Sequence, residues 1–292
     1  MSAGLIVLGE FLRARRHVCQ PEDAGIVRDT GRRVPGLRRD EVARLAGISA
    51  EYYLRLEKGR GGRPSDQVLN ALARALGLDA DSRQYLLRVA SGELPQPVQP
   101  DAESAERITR VLGHWTHTPA YVSDSHRDIV AANPLAHVFG NGGLSAGSNV
   151  VLRLFVDRMK HSLVEWEEMT RSSLAGLRRD ADPRSPRLKE IVDALSDDPD
   201  FERMWARYDV SGSEDARINM VVEAVGAIEI DVQNFAVRSM PGYQLTVLSA
   251  PPQSITAMVF SRLAASLDPS VTTLSATGVP AGTRTPGAST VP

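Results

Sequence analysis

An all-α first third followed by an α+β remainder is the fold class the sequence predicts, and three observations predict it. Up to residue 92 the apolar residues recur at helical spacing. The segment Gly92-Glu-Leu-Pro-Gln-Pro-Val-Gln-Pro100 then carries three prolines in nine residues. Each removes a backbone donor and disfavours helix in the residue before it. Beyond it, Ala227-Ile-Glu-Ile-Asp-Val-Gln-Asn-Phe235 alternates and Gln244-Leu-Thr-Val-Leu248 is β-rich. The expected division is a helical domain over 1–91, a semi-stiff linker over 92–103 and a second domain over 104–268. Residues 269–292 are rich in Ser, Thr, Gly and Pro. Their small apolar content cannot offset the entropy of ordering, so a disordered tail is expected there.

The elements follow in order. Leu8, Phe11, Leu12 and Arg15, with Val18 after them, step around one helix face. Val42, Leu45 and Ala46 make a second stripe, and Tyr52 and Leu56 a third. Val68, Leu69, Leu72, Ala73 and Leu76 make the strongest, with Ser65 as N-cap and Gly77 as the closing glycine. Asp79 is expected to cap a fifth helix with Tyr85, Leu86 and Val89 inward. After the linker, 108–115 reads as helix, and Tyr121–Asp124 and Asp128–Ala132 as short strands around a polar turn. Asn133-Pro134 starts a helix. Residues 160–208 read as helical with breaks at Asp182-Pro183 and Asp198-Pro199, and 255–267 as a closing helix. There is no internal repeat.

The 292 residues are 42% hydrophobic and 24% charged, an ordinary globular composition. No apolar run approaches the ~20 residues of a membrane-spanning helix. Met1 to Val7 lacks the basic flank and long apolar block of a secretory signal. The single cysteine, Cys19, excludes an intrachain disulfide and a Cys-rich zinc site. A cytoplasmic chain without a membrane partner or cofactor is expected. The net charge of −2 conceals an asymmetry. Residues 1–92 carry 16 Arg/Lys against 11 Asp/Glu, and the remainder 18 against 25. A polyanion is expected to meet the first third alone.

The informative stretch is Leu37-Arg-Arg-Asp-Glu-Val-Ala-Arg-Leu-Ala-Gly-Ile-Ser-Ala-Glu-Tyr-Tyr-Leu-Arg-Leu-Glu-Lys-Gly59. Ala43 is small where two helices cross closely. Gly47 supplies a left-handed turn residue, Ile48 buries the turn, and Ser49 caps the next helix. This is the residue chemistry of a helix-turn-helix, whose second helix offers its N-terminal side chains to the major groove of duplex DNA. Ser49, Ala50, Glu51, Leu54 and Arg55 are expected at that helix's exposed start and flank. Glu51 suits cytosine N4, and Ala50 a thymine methyl. Arg38, Arg39, Arg55, Lys58, Arg60 and Arg63 suit phosphates. Tyr52 and Tyr53 are adjacent and cannot both face the core; Tyr52 is expected inside and Tyr53 near the DNA backbone. The insertion Pro21–Gly36, with Arg28, Arg32 and Arg33, reads equally as an arm on DNA or a solvated loop.

The stretch resembles the helix-turn-helix of the lambda-repressor-like (XRE) family. Pro21-Glu-Asp-Ala-Gly25, Arg32-Arg-Val-Pro-Gly-Leu-Arg-Arg-Asp-Glu-Val-Ala43 and Tyr52-Tyr-Leu-Arg-Leu-Glu-Lys-Gly-Arg60 look like the MmyB-like regulators of actinobacteria. Thr118-Pro-Ala-Tyr-Val-Ser-Asp124, Ile129-Val-Ala-Ala-Asn-Pro-Leu135 and Trp205-Ala-Arg-Tyr-Asp-Val210 extend the resemblance, which covers about residues 8–265. It implies a transcription regulator with a PAS-like α+β second domain able to hold a fatty-acid-like ligand. Tyr208 stands where the resemblance leads one to expect His. Phe139, Phe155, Trp166, Leu174, Met204, Trp205 and Phe235 are the large apolar residues expected to line a cavity, or else to form ordinary core.

Other constellations read as structural. His114-Trp-Thr-His117 has chelating spacing but no third ligand nearby. Cys19, beside Arg15, Arg16 and His17, lacks a resolving partner. Glu165, Glu167 and Glu168 form a solvated acidic face. Asn133 is expected to cap the helix that follows it. The leading expectation is a ligand-responsive, DNA-binding homodimer. The alternatives are a regulator whose second domain is an interaction or dimerisation platform, and, third, an enzyme fused to a helix-turn-helix.

Overall fold

The structure, a computed structural model, describes residues 3–28, 31–32, 34–93, 102–212, 215–223 and 225–267. The prolines of the expected linker, Arg33 and the expected disordered tail lie outside the described residues.

Among the described residues, five α-helices build the first unit: α1 (Ala3–Val18), α2 (Arg39–Ala46), α3 (Ala50–Glu57), α4 (Asp66–Ala75) and α5 (Ala80–Ser91). Their ends are set locally. The hydroxyls of Ser49 and Ser65 accept from Tyr52 N and Val68 N, and the Asp79 carboxylate accepts from Ser82 N, in each case three residues on. Gly47 ends α2 at φ +68°, where a side chain would be strained. Leu8, Phe11, Leu12, Val42, Ala43, Leu56, Leu69, Leu72 and Leu86 are buried together. Leu45, expected inward, is 41% exposed, because α2 turns Val42, Ala43 and Ala46 to its neighbours instead.

Of the two adjacent tyrosines, Tyr53 is the buried one, at 0% exposure, and Tyr52 lies at the margin. Tyr53 shares the Leu56 face of α3, packs on α1 and reaches Leu12 O with its hydroxyl at 3.4 Å. The expected orientation is therefore reversed, and Tyr53 has no surface to offer DNA. The insertion folds back on α2. Arg32 grips both oxygens of Glu41, at 2.8 and 2.6 Å. Glu41 also accepts from Arg38 N at 2.6 Å and so caps α2. Arg28 pairs with Glu22. These two arginines are engaged within the unit rather than held out as an arm.

The second unit runs α6 (Ala102–Gly113), β1 (Ala120–Ser123), β2 (Ile129–Ala132), α7 (Pro134–Phe139), α8 (Val150–Leu154), α9 (Asp157–Ser162), α10 (Trp166–Asp180), α11 (Pro186–Leu195), α12 (Pro199–Trp205), β3 (Ala216–Val222), β4 (Gly226–Ala236), β5 (Gln244–Ser249) and α13 (Ile255–Ser266). The strands form one antiparallel sheet in the order β2-β1-β5-β4-β3. Strand β3 was not anticipated, although Ile218, Met220 and Val222 alternate as a strand should. Helices α8 to α12 pack around Phe155, Leu174, Leu177, Ile191, Phe201 and Met204. Asn133, 2% exposed, joins the sheet to its entry. Its Oδ1 accepts from Ala120 N and Ala136 N, and its Nδ2 donates to Trp115 O and Thr118 O.

The Arg32 hydrogen bonds push the Glu41 carboxyl down to about 2. A depressed carboxyl stabilises the fold above its unfolded value of about 4.3, and that stabilisation is lost as pH falls through the folded value. Urea titrations of the protein between pH about 5 and 2 should show falling stability, and Glu41→Gln should be less stable at neutral pH and flatter across that window.

Candidate DNA-reading surface and ligand cavity

The helix-turn-helix presents its polar residues on one side. Ser49, Ala50, Glu51, Arg55, Lys58, Arg60 and Arg63 are exposed, as are Arg38 and Arg39 at the start of α2. Of these, Ser49 has its hydroxyl engaged as the cap of α3. Arg55 lies 5.7 Å above the Tyr52 ring. Arg39 donates to Glu57 at 2.6 Å, and Glu57 takes a second bond of 2.6 Å from Arg16. The Glu57 carboxylate is only 2% exposed. Burial opposes its charge, but the two guanidiniums outweigh burial and hold its pKa below the ordinary carboxylate range. Arg39 is thus positioned by the core as well as offered to solvent.

The second unit contains a cavity of about 430 Å³, within the ~300–1,000 Å³ range of small-molecule sites. One face of the sheet forms its floor, since side chains two residues apart in a strand share a face. Ile218 pairs across to Ile230, and Ala216 to Val232 and on to Leu248. Further along, Asn234 pairs with Thr246, which pairs with Tyr121, and Gln244 pairs with Ser123. The floor is therefore aliphatic at one end and polar at the other. Helical and loop residues, among them Phe139, Leu144, Arg153, Met159 and Met169, complete the lining.

Of the seven apolar residues expected to line a cavity, Phe139 alone does so. Phe155, Trp166, Leu174, Met204 and Trp205 belong to the helical cluster beside it. There Phe155 meets Trp166 and Phe201 edge-on, and Phe201 stacks on Trp205. Phe235 is 49% exposed near the end of β4. Large aromatics close the helix packing, whereas the floor needs medium aliphatics at alternate strand positions. His117 bonds to the Thr116 hydroxyl, and no group of three metal-capable side chains occurs among the described residues. Burial raises the Cys19 thiol pKa, which disfavours a reactive thiolate.

A segment that sequence reasoning treated as ordinary second-domain chain joins the two units. Val210, 3% exposed, completes the core of the helical unit, and Tyr208 meets Phe11 edge-on at 5.8 Å. Ser82 donates to Val210 O, and Gly212 N donates to Asp81. Arg15 of α1 binds Asp209 at 2.7 Å, as do Arg207 at 2.9 Å and Arg171 at 3.1 Å. Arg178 of α10 is buried between the rings of Trp205, at 3.6 Å, and Tyr208, at 4.0 Å. Burial pushes its pKa down to about 10, so it stays a cation at neutral pH. Helix α10 thus meets both sites: Met169 and Ser173 line the cavity, Arg171 and Arg178 hold the docked segment, and Arg179 pairs with Asp81 of α5 at 3.8 Å.

Comparison with known proteins adds two family matches. The MmyB-like transcription regulator ligand binding domain matches residues 105–263, and a helix-turn-helix domain matches 7–86. No curated protein matches the chain. Among solved structures, an RNA-binding light-oxygen-voltage receptor aligns at 11% identity and a TM-score of 0.22, over 78% of this chain and 62% of that chain. The chain thus spans about three fifths of that receptor's length.

Tyr208 is partly buried, so removing its ring should cost about 2 kcal/mol, less than for a fully buried aromatic. In Tyr208→Ala, hydrogen exchange should quicken in α1 and α5 and remain unchanged in β4 and β5. Uniform quickening would mean that the ring does not act at the junction.

Proposed function

The chain belongs to the MmyB-like transcription regulators, and from that premise we propose that it binds duplex DNA as a homodimer under the control of an apolar, acyl-chain ligand. The observation that carries this reading is the 430 Å³ cavity sharing α10 with the segment docked on the helical unit. Burial of an acyl tail contributes roughly 0.8 kcal/mol per methylene, so a partly enclosed tail reaches micromolar affinity. A ligand regulates only if it binds the DNA-competent and incompetent arrangements unequally. A shift of α10 on filling would alter the seating of Tyr208 and Val210, and with it the placement of α1 and α3.

On the DNA side, Ala50 and Glu51 face base edges, and Arg38, Arg39, Arg55, Lys58, Arg60 and Arg63 face phosphates. One such helix reads only a few base pairs, and two-fold pairing supplies the missing discrimination. Selection of bound duplexes from a random pool should return a partly palindromic site; a site without a dyad, bound by one chain, would remove the dimer. Arg60→Ala and Arg63→Ala should weaken binding to all sequences and each reduce the salt slope by about one. Glu51→Ala should relax preference at one position by ~1–3 kcal/mol. An unchanged selected motif would displace Glu51 from the groove.

For the ligand, native mass spectrometry of gently purified protein should reveal a bound apolar molecule. Acyl chains should raise the thermal midpoint in proportion to length and change operator affinity. An empty protein that no chain stabilises would leave the interaction-platform reading in its place.

A further inference from the structure

Two helices of the first unit hold the second unit, and the reading helix rides on one of them. On α1, Arg15 binds Asp209 at 2.7 Å and Phe11 meets Tyr208 edge-on. On α5, Asp81 accepts from Gly212 N, Ser82 donates to Val210 O at 3.3 Å, and Arg88 donates to Arg179 O. None of these side chains is among those assigned to base edges or phosphates.

Helix α1 passes the constraint on to α3. Gly9 lies so close to the end of α3 that a Cβ there would fall 2.5 Å from Glu57 O. So close a crossing leaves no room for α3 to slide. Arg16 ties α1 to Glu57 at 2.6 Å, and the Tyr53 hydroxyl reaches Leu12 O at 3.4 Å. The two helices therefore move as one body, and a placement of α1 on the second unit is also a placement of α3.

The covalent connection imposes no such placement. The ten residues from Gly92 to Asp101 span up to ~33–36 Å when extended, about one turn of B-DNA. A reading head held by that tether alone would reach half-sites over a range of separations. One added base pair moves a half-site by about 3.4 Å and turns it roughly 35° about the DNA axis. A docked head cannot follow without leaving its seat.

We propose that Tyr208, Asp209 and Val210 are positioning residues that touch no DNA yet fix the separation of the two half-sites the protein accepts. This rests on the homodimer reading and adds that spacing is set at the junction of the units. Each docked head has one placement on its own second unit. In a dimer joined through its second units, the two heads then have one mutual separation. Unseating the segment leaves each half-site readable and the separation free.

The test measures binding of the full-length protein to duplexes carrying the two selected half-sites at separations varied one base pair at a time. The native protein should bind one separation about tenfold or more tightly than its neighbours. Asp209→Asn combined with Asp81→Ala removes junction bonds on both α1 and α5. It should bring neighbouring separations to within about twofold and leave affinity for an isolated half-site unchanged. Tyr208→Phe, which keeps the ring between Phe11 and Arg178, should retain the native preference. Four Gly/Ser residues inserted between Gln96 and Pro97 should leave the preferred separation where it was. The insertion keeps every junction residue and so guards against misfolding of the double variant. A native protein indifferent to separation, a double variant that keeps one separation, or an insertion that shifts it overturns the assignment while the homodimer reading stands. A selected site without a dyad overturns both.

Discussion

Arg178 is a cation placed where water cannot reach it, and the junction of the two units depends on how it is satisfied. A buried guanidinium without partners would be strongly destabilising, but this one lies between two aromatic faces and donates to Trp205 O at 2.8 Å. The sandwich fixes Tyr208, whose backbone adopts φ +57°, a conformation that bulky residues rarely take. Such a residue persists only where its surroundings over-determine it. Here Phe11 and Tyr85 on one side and Arg178 on the other supply that determination. Asp209 and Val210 follow in register, one meeting three arginines and the other the helical core.

That arrangement makes the helical unit and the sheet unit unequal partners. The first core is incomplete without a side chain from the second, whereas the sheet draws every strand from its own unit. Packed cores respond to displacement by switching between arrangements rather than deforming smoothly. A helix that lines a cavity along part of its surface and grips this junction along another is therefore a short mechanical path. Glu57 extends it, since its buried carboxylate joins Arg16 of α1 to Arg39 on the outer surface.

Sequence legibility followed the range of the interaction. The caps at Ser49, Ser65, Asp79 and Asn133 act over three residues, and all four hold in the structure. The left-handed turn at Gly47 is equally local. The choice between Tyr52 and Tyr53 is not, because both sit on apolar-flanked positions and the packing of α1 decides which ring enters. Large aromatics, the sequence's natural candidates for a cavity, pack helix on helix, while the cavity floor uses Ile, Val, Leu, Thr and Asn at alternate strand positions. Arg153 looks in sequence like any other arginine of an arginine-rich chain; only the sheet and the loop at Gly143 place it inside. The seat for Val210 joins residues more than a hundred positions apart, and no local pattern records it.

The same seat has a consequence during synthesis. The helical unit ends at Ser91, but Val210 and Tyr208 emerge much later. At ~5–20 residues per second the interval is roughly 6–24 s. Throughout it, the apolar seat around Phe11, Ser82 and Tyr85 faces solvent on a tethered, otherwise finished domain. Chaperone capture in that interval would therefore centre on this one patch, and release would coincide with arrival of the chain's own plug.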